Sequence, residues 1–366
     1  MPGQYVVTEF ASIRKNELVK APETFDIHPD YLAYMSKDAL TAAFHTVAAL
    51  FDRLLTDIAA DPALFGLPVY TAEMPLGGPD YNEARVAADW PFYLLLFLFA
   101  HGTLEDGKFI ADISGFRQAN KGPRAVKNID VPLKALARYG FVFDGLKDYQ
   151  LPQRAPAFEI AYPDRPSVAA VLHLMAAKCY RFLDKNGFFR FRTWNYRLLS
   201  EGRDEMTVGT GGDHLADSLH DAGERAFVLA FHDAVTAYGL TCGTGWRHEG
   251  PLIRYFDQKD KETYLFEESM CGDTMTLRLR IRNAEACMDY LETCLETVRA
   301  MFRETHPGCE KRANGTCTAS TRYVYEGEDK WRCGCWGAAF FAPPIVKNIG
   351  HYIKLVELGK KKPGKK

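Results

Sequence analysis

The sequence predicts a mixed α+β protein, with a helical N-terminal half and a C-terminal antiparallel sheet domain carrying a covering helix. Three observations carry this expectation. First, Leu40, Phe44, Val47, Phe51, Leu54, Leu55 and Ile58 recur at three-and-four spacing, the period of a helix with one buried face. Second, the segment from Pro91 to His101 is apolar on nearly every side, as befits a helix at the centre of a core. Third, the period changes to two from Thr274 to Arg282. There Met275, Leu277, Leu279 and Ile281 share one strand face, and Thr276, Arg278, Arg280 and Arg282 share the other.

A chain of 366 residues exceeds one ordinary core, so two or three domains are expected. The composition, 47% hydrophobic and 25% charged, is that of a globular protein. A formal net charge of −2 excludes a global electrostatic attraction to nucleic acid or membrane. The stretch MPGQYVVTEFASIRK lacks the apolar core of a signal peptide, which makes the cytoplasm the expected location. The longest apolar run, Trp90 to Ala100, is too short to span a bilayer. Nine Cys without a secretion signal read as reduced thiols and not as a disulfide framework.

In chain order, a short strand is expected near Tyr5 to Thr8. A helix capped by Ser36 and ended by Asp61-Pro62 follows. Residues 62–83 have loop composition, and Asp89-Trp90-Pro91 reads as a cap with Pro in the first turn. A short helix is expected from Lys108 to Phe116 and another from Asp130, in which Leu133, Leu136 and Ala137 face one way until Gly140. Phe141-Val142-Phe143 and Phe158-Glu159-Ile160 read as strands joined by turn-rich chain. This order of three helices, strand, turn and strand over residues 90–165 resembles a winged helix-turn-helix. The resemblance rests on the stretch Leu133-Lys134-Ala135-Leu136-Ala137-Arg138-Tyr139-Gly140-Phe141, where a helix with paired Leu ends in Gly and enters a strand. It implies that the helix from Asp130 to Tyr139 is a recognition helix with Lys134 and Arg138 on its exposed face.

Charge bears on the same segment. Between Arg117 and Arg138 there are six basic residues and one acid, whereas from Ala21 to Gly107 thirteen acids face three Lys or Arg. The cations Arg117, Lys121, Arg124, Lys127, Lys134 and Arg138 are therefore the candidate DNA contacts, because a local basic patch is what a duplex-binding element needs. The bland reading is that they solvate a loop and a helix face.

Tyr162-Pro163-Asp164-Arg165-Pro166 suggests a boundary, which gives units 1–165, 166–239 and 240–359 and a basic disordered tail, 360–366. Val168, Leu172, Met175, Cys179 and Phe182 form a helical stripe. In the interleaved stretch Phe188 to Arg197 the aromatics are expected inside, with Arg190, Arg192 and Arg197 outside. Asp213, Asp217 and His220 would share a face on a helix, and two carboxylates with an imidazole can hold a divalent metal. The C-terminal region reads as strands from Leu252 to Phe256, Thr263 to Phe266 and Thr274 to Arg282, then one helix from Ala284 to Arg303. A hairpin turning at Glu326 to Asp329 and a closing strand from His351 to Leu358 complete it. The arginine row is either solvated or a seat for a small acidic ligand.

Four Cys fall in under thirty residues: Cys309, Cys317, Cys333 and Cys335. Converging thiolates would suit a structural Zn²⁺, although neither pair has the two-to-four spacing of zinc knuckles. Redox-active thiols and ordinary buried Cys remain alternatives, and a nucleophilic Cys paired with His306 or His351 is a further one. The functional expectation is a binding or regulatory protein, with DNA contact through the winged-helix-like segment and ligand or metal sensing by the C-terminal domain. A metal-dependent enzyme and an interaction module without chemistry are the alternatives.

Overall fold

The computed structural model describes residues 6–67, 83, 86–207, 211–247, 250–271, 274–304, 321–332 and 339–360. It is a mixture of helices and antiparallel sheets, as the periodicities predict. The chain divides into two compact units, Met1–Val208 and Gly209–Lys366. The Tyr162 to Pro166 punctuation is a turn inside the first unit, since the helix Ser167–Arg181 that follows it belongs to the same core as Trp90–Ala100.

The first unit is built around the helix Trp90–Ala100, in which every residue from Trp90 to Phe99 is buried. The long helix Lys37–Ala60 packs into the same core through the expected stripe, and Ser36 caps it by accepting the Ala39 N–H. The N-terminal segment is a helix, Val6–Asn16, and not the expected strand. Val7, Phe10, Ala11 and Arg14 are all buried there at helical spacing, a period that four residues read alone do not reveal. Residues 90–161 then run as helix, a hairpin of β1 (Gly102–Glu105) and β2 (Lys108–Asp112), helix Ile113–Ala119, helix Asp130–Ala137, β3 (Val142–Asp144) and β4 (Ala157–Ala161). The expected helix from Lys108 is thus a strand to Asp112 and a helix beyond it. The strands form one sheet in the order β1-β2-β4-β3, antiparallel throughout.

Two groups of buried charges tie this unit together. Arg192 lies 2.7 Å from Glu17 and 3.5 Å from Asp89, while Arg14 meets Glu17 at 3.0 Å and Asp89 at 3.2 Å. Asp89 therefore spends its carboxylate on the two guanidiniums and makes no capping bond to its own helix. Arg190 pairs with Glu201 at 2.7 Å, and Lys178 reaches the same carboxylate at 3.1 Å. The expectation that Arg190 and Arg192 point outward is thus corrected: both are buried, Arg190 against Glu201 eleven residues on and Arg192 against the remote Glu17 and Asp89.

The second unit has strands β5 (Thr241–Arg247), β6 (Gly250–Asp257), β7 (Asp260–Cys271), β8 (Thr274–Arg280) and β11 (Ala339–Ala342). They form a five-stranded antiparallel sheet, β11-β8-β7-β6-β5, packed on one face by helices. In β8 Met275, Leu277 and Leu279 are buried and Arg278 and Arg280 lie on the opposite face, as the alternation predicts. A separate hairpin pairs β9 (Thr321–Tyr325) with β10 (Glu328–Arg332), and Glu326 and Gly327, both at positive φ, form its two-residue turn.

Two expectations fail here. The closing segment is a helix, Ile349–Gly359, and not a strand: Tyr352, Leu355, Val356 and Gly359 are buried at helical spacing, and β11 is the sheet edge instead. The expected helix from Ala284 to Arg303 is a 3-10 turn, Glu285–Cys287, and two helices, Met288–Leu291 and Glu296–Arg303. The stripe survives the break, since Cys287, Leu291, Cys294, Val298, Met301 and Phe302 are all buried.

Candidate nucleic-acid interface

The six candidate cations of residues 117–138 are all exposed, but their surroundings differ. Asp112 accepts the Ser114 N–H and starts the short helix Ile113–Ala119. Arg117 sits in its last turn and donates to the Pro152 carbonyl at 2.9 Å, which fastens the helix to the loop between β3 and β4. Beside it is a cavity of about 360 Å³ lined by Ile113, Ser114, Arg117, Gln118, Lys121, Ala155 and Pro156. Among the described residues its lining carries two cations and no carboxylate. Arg124 follows in the 3-10 turn Gly122–Arg124.

Lys134 and Arg138 lie on the exposed side of Asp130–Ala137 and its C-cap. Pro132, Leu133, Ala135 and Leu136 turn inward. These two cations border a larger cavity of about 490 Å³, which also holds Asp61, Asp130 and Asp148. Three carboxylates beside two cations make this a mixed surface, poorly suited to a phosphate backbone. Lys127 pairs with Glu83 at 2.9 Å and stands over the Trp90 ring, so part of its charge is spent within the chain.

The other sequence-derived candidates fare unequally. Cys309, Cys317, Cys333 and Cys335 all lie outside the described residues, as does His306. Asp213, Asp217 and His220 do not share a helix face. The helix Asp213–Ala216 stops after four residues, with Asp217 as its C-cap and His220 beyond it. Among the described residues no three His, Cys, Asp or Glu are grouped to hold a metal ion. His351 does meet a thiol: its Nδ1 is 3.5 Å from Cys294 Sγ and 2.9 Å from the Tyr290 hydroxyl. Burial raises the Cys294 pKa, the reverse of what an activated nucleophile needs.

One polar group was not foreseen from sequence. Glu268, in β7, is fully buried on the helix-covered face of the sheet and accepts the Tyr255 hydroxyl at 2.6 Å. His232 Nδ1 lies 3.2 Å from the same hydroxyl. Burial pushes the Glu268 carboxyl up to about 8, against the opposing pull of the Tyr255 hydrogen bond. No helix among the described residues is long and apolar enough to cross a membrane. No protein-family description, characterised protein or solved structure matches this chain.

Proposed function

We propose that the chain is a regulatory nucleic-acid-binding protein, whose residues 90–165 act as a winged-helix-like element. Two features of the first unit support this. The order from Trp90 is helix, β1, β2, helix, helix, β3, β4, and the sheet order is β1-β2-β4-β3. This resembles a winged helix-turn-helix in which the β1–β2 hairpin stands in place of a single strand and the β3–β4 loop is the wing. The observation that carries the proposal is the cavity at Arg117 and Lys121, whose described lining holds two cations and no carboxylate and which is tied to that loop by the Arg117–Pro152 bond.

The contact would be sequence-independent in the main, made by guanidinium and ammonium groups on phosphate oxygens. Arg117, Lys121 and Arg124 lead it. Lys134 and Arg138 contribute less because Asp61, Asp130 and Asp148 stand beside them. The test is fluorescence anisotropy of the full chain with random duplex DNA across a salt series. Binding should weaken linearly on logarithmic axes, with a slope of about −3, close to one counterion per contacting phosphate. Absence of binding at low salt, or binding without a salt slope, overturns the proposal.

A further inference from the structure

The arginine row of the second unit is organised in a way that a solvated charge row is not. On the sheet face opposite the helices, Glu267 is fully buried and holds two guanidiniums from neighbouring strands. Arg254 Nε donates to its Oε2 at 2.7 Å, and Arg278 donates from a terminal nitrogen to its Oε1 at 3.0 Å. The strand register sets this up, since Arg254, Glu267 and Arg278 are direct cross-strand partners on β6, β7 and β8. Aromatic rings support the cations. Arg254 and Arg280 stand 5.1 and 5.5 Å from the Tyr264 ring centre, and Arg278 stands 5.5 Å from that of Phe341. A guanidinium held by a bridging carboxylate and a ring face loses little freedom on meeting an anion.

Phe341 also lines a cavity of about 450 Å³, so the arginine face and the cavity share one ring. The cavity runs between the helix Glu296–Arg303 and the end of β11, lined mainly by Met275, Ala300, Met301, Ala342, Pro343 and Pro344. Among the described residues Glu304 is the one carboxylate in its lining, and Thr276 and Thr297 supply hydroxyls. We infer that this end of the second unit binds a small amphipathic anion, its charged group on Arg278 and its neighbours and its apolar body in the cavity. Arg278 is the binding residue, and Glu267 is a positioning residue that aims Arg254 and Arg278. The site is independent of the proposed nucleic-acid contact, as every residue in it belongs to the second unit.

Isothermal titration of the full chain with octanoate, octyl phosphate and neutral 1-octanol tests this. Octanoate or octyl phosphate should bind at least about tenfold more tightly than octanol, the worth of one charge-assisted hydrogen bond. Their ratio identifies carboxylate or phosphate as the preferred head group. Arg278→Gln should remove that preference. Glu267→Gln gives opposite signs for the two explanations: a diffuse positive field predicts tighter anion binding when the carboxylate is lost, whereas positioning predicts weaker binding. Ala300→Leu fills the cavity without touching the arginines, so it should weaken octanoate several-fold and guards against misfolding of the charge variants. Equal affinity for octanoate and octanol, no binding of either anion, or tighter anion binding by Glu267→Gln overturns the inference.

Discussion

Replacing Glu268 by Gln should make the second unit less sensitive to alkali. The folded protein holds the carboxyl near 8, against an ordinary value of 4.5, because the site is buried. The sign follows from proton linkage. Between those two values the folded state binds a proton that the unfolded state has released, so stability falls as pH rises. The contribution is fully present below pH 4.5 and is lost as pH rises through about 8. The slope is about 1.4 kcal/mol per pH unit, and the whole span has a ceiling of about 5 kcal/mol. Gln has the same shape and no charge to titrate. Its amide oxygen can still accept the Tyr255 hydroxyl, so Glu268→Gln should cost under about 1 kcal/mol at pH 5. At pH 8 the variant should be the more stable by several kcal/mol. Urea unfolding of both proteins from pH 5 to 8 measures this. Their difference cancels every other titrating group. A difference that stays flat to within about 0.5 kcal/mol refutes the buried, proton-bearing carboxyl.

Three further outcomes follow from the geometry. Arg192→Met leaves Glu17 and Asp89 buried with Arg14 alone and should cost about 3–5 kcal/mol, read as a lowered thermal midpoint of the first unit. Gly327→Ala forces a side chain into the hairpin turn at φ 80° with no neighbour to clash, so it should cost only about 1 kcal/mol in urea unfolding. Gly187→Ala is different, because its Cβ would sit 2.1 Å from the Cys179 carbonyl oxygen, and the variant should lose well over 2 kcal/mol or fail to accumulate folded.

Where one period ran long enough, the sequence was a good guide. The stripe of Lys37–Ala60 and the all-apolar Trp90–Ala100 exceed the usual length of a strand, and strict alternation marks β8. The segment from His351 to Leu358 is short, but its apolar positions Tyr352, Ile353, Leu355, Val356 and Leu358 already follow three-and-four spacing, and the burial of Tyr352, Leu355 and Val356 agrees with it. The strand after Thr263 looked finished at Phe266 because Glu267-Glu268-Ser269 is polar. It continues to Cys271, with Glu267 buried by arginines on one face and Glu268 by Tyr255 on the other. Such pairings join residues on different strands, and no local pattern announces them. Arg192 misled for the same reason, since Glu17 and Asp89, which meet it, lie far away in the chain. The basic residues of 117–138 were legible as charges. Their division into a carboxylate-free cavity at Arg117 and an aspartate-flanked one at Lys134 required the fold to bring Asp61 and Asp148 beside Lys134.

Two double variants compared on random duplex DNA across the same salt series test the nucleic-acid contact at Arg117 and Lys121 most directly. Arg117→Ala/Lys121→Ala should lower affinity and reduce the salt slope by about 2, while Lys134→Ala/Arg138→Ala should change the slope by less than about 1. Equal effects from the two pairs, or a larger effect from Lys134 and Arg138, would contradict it.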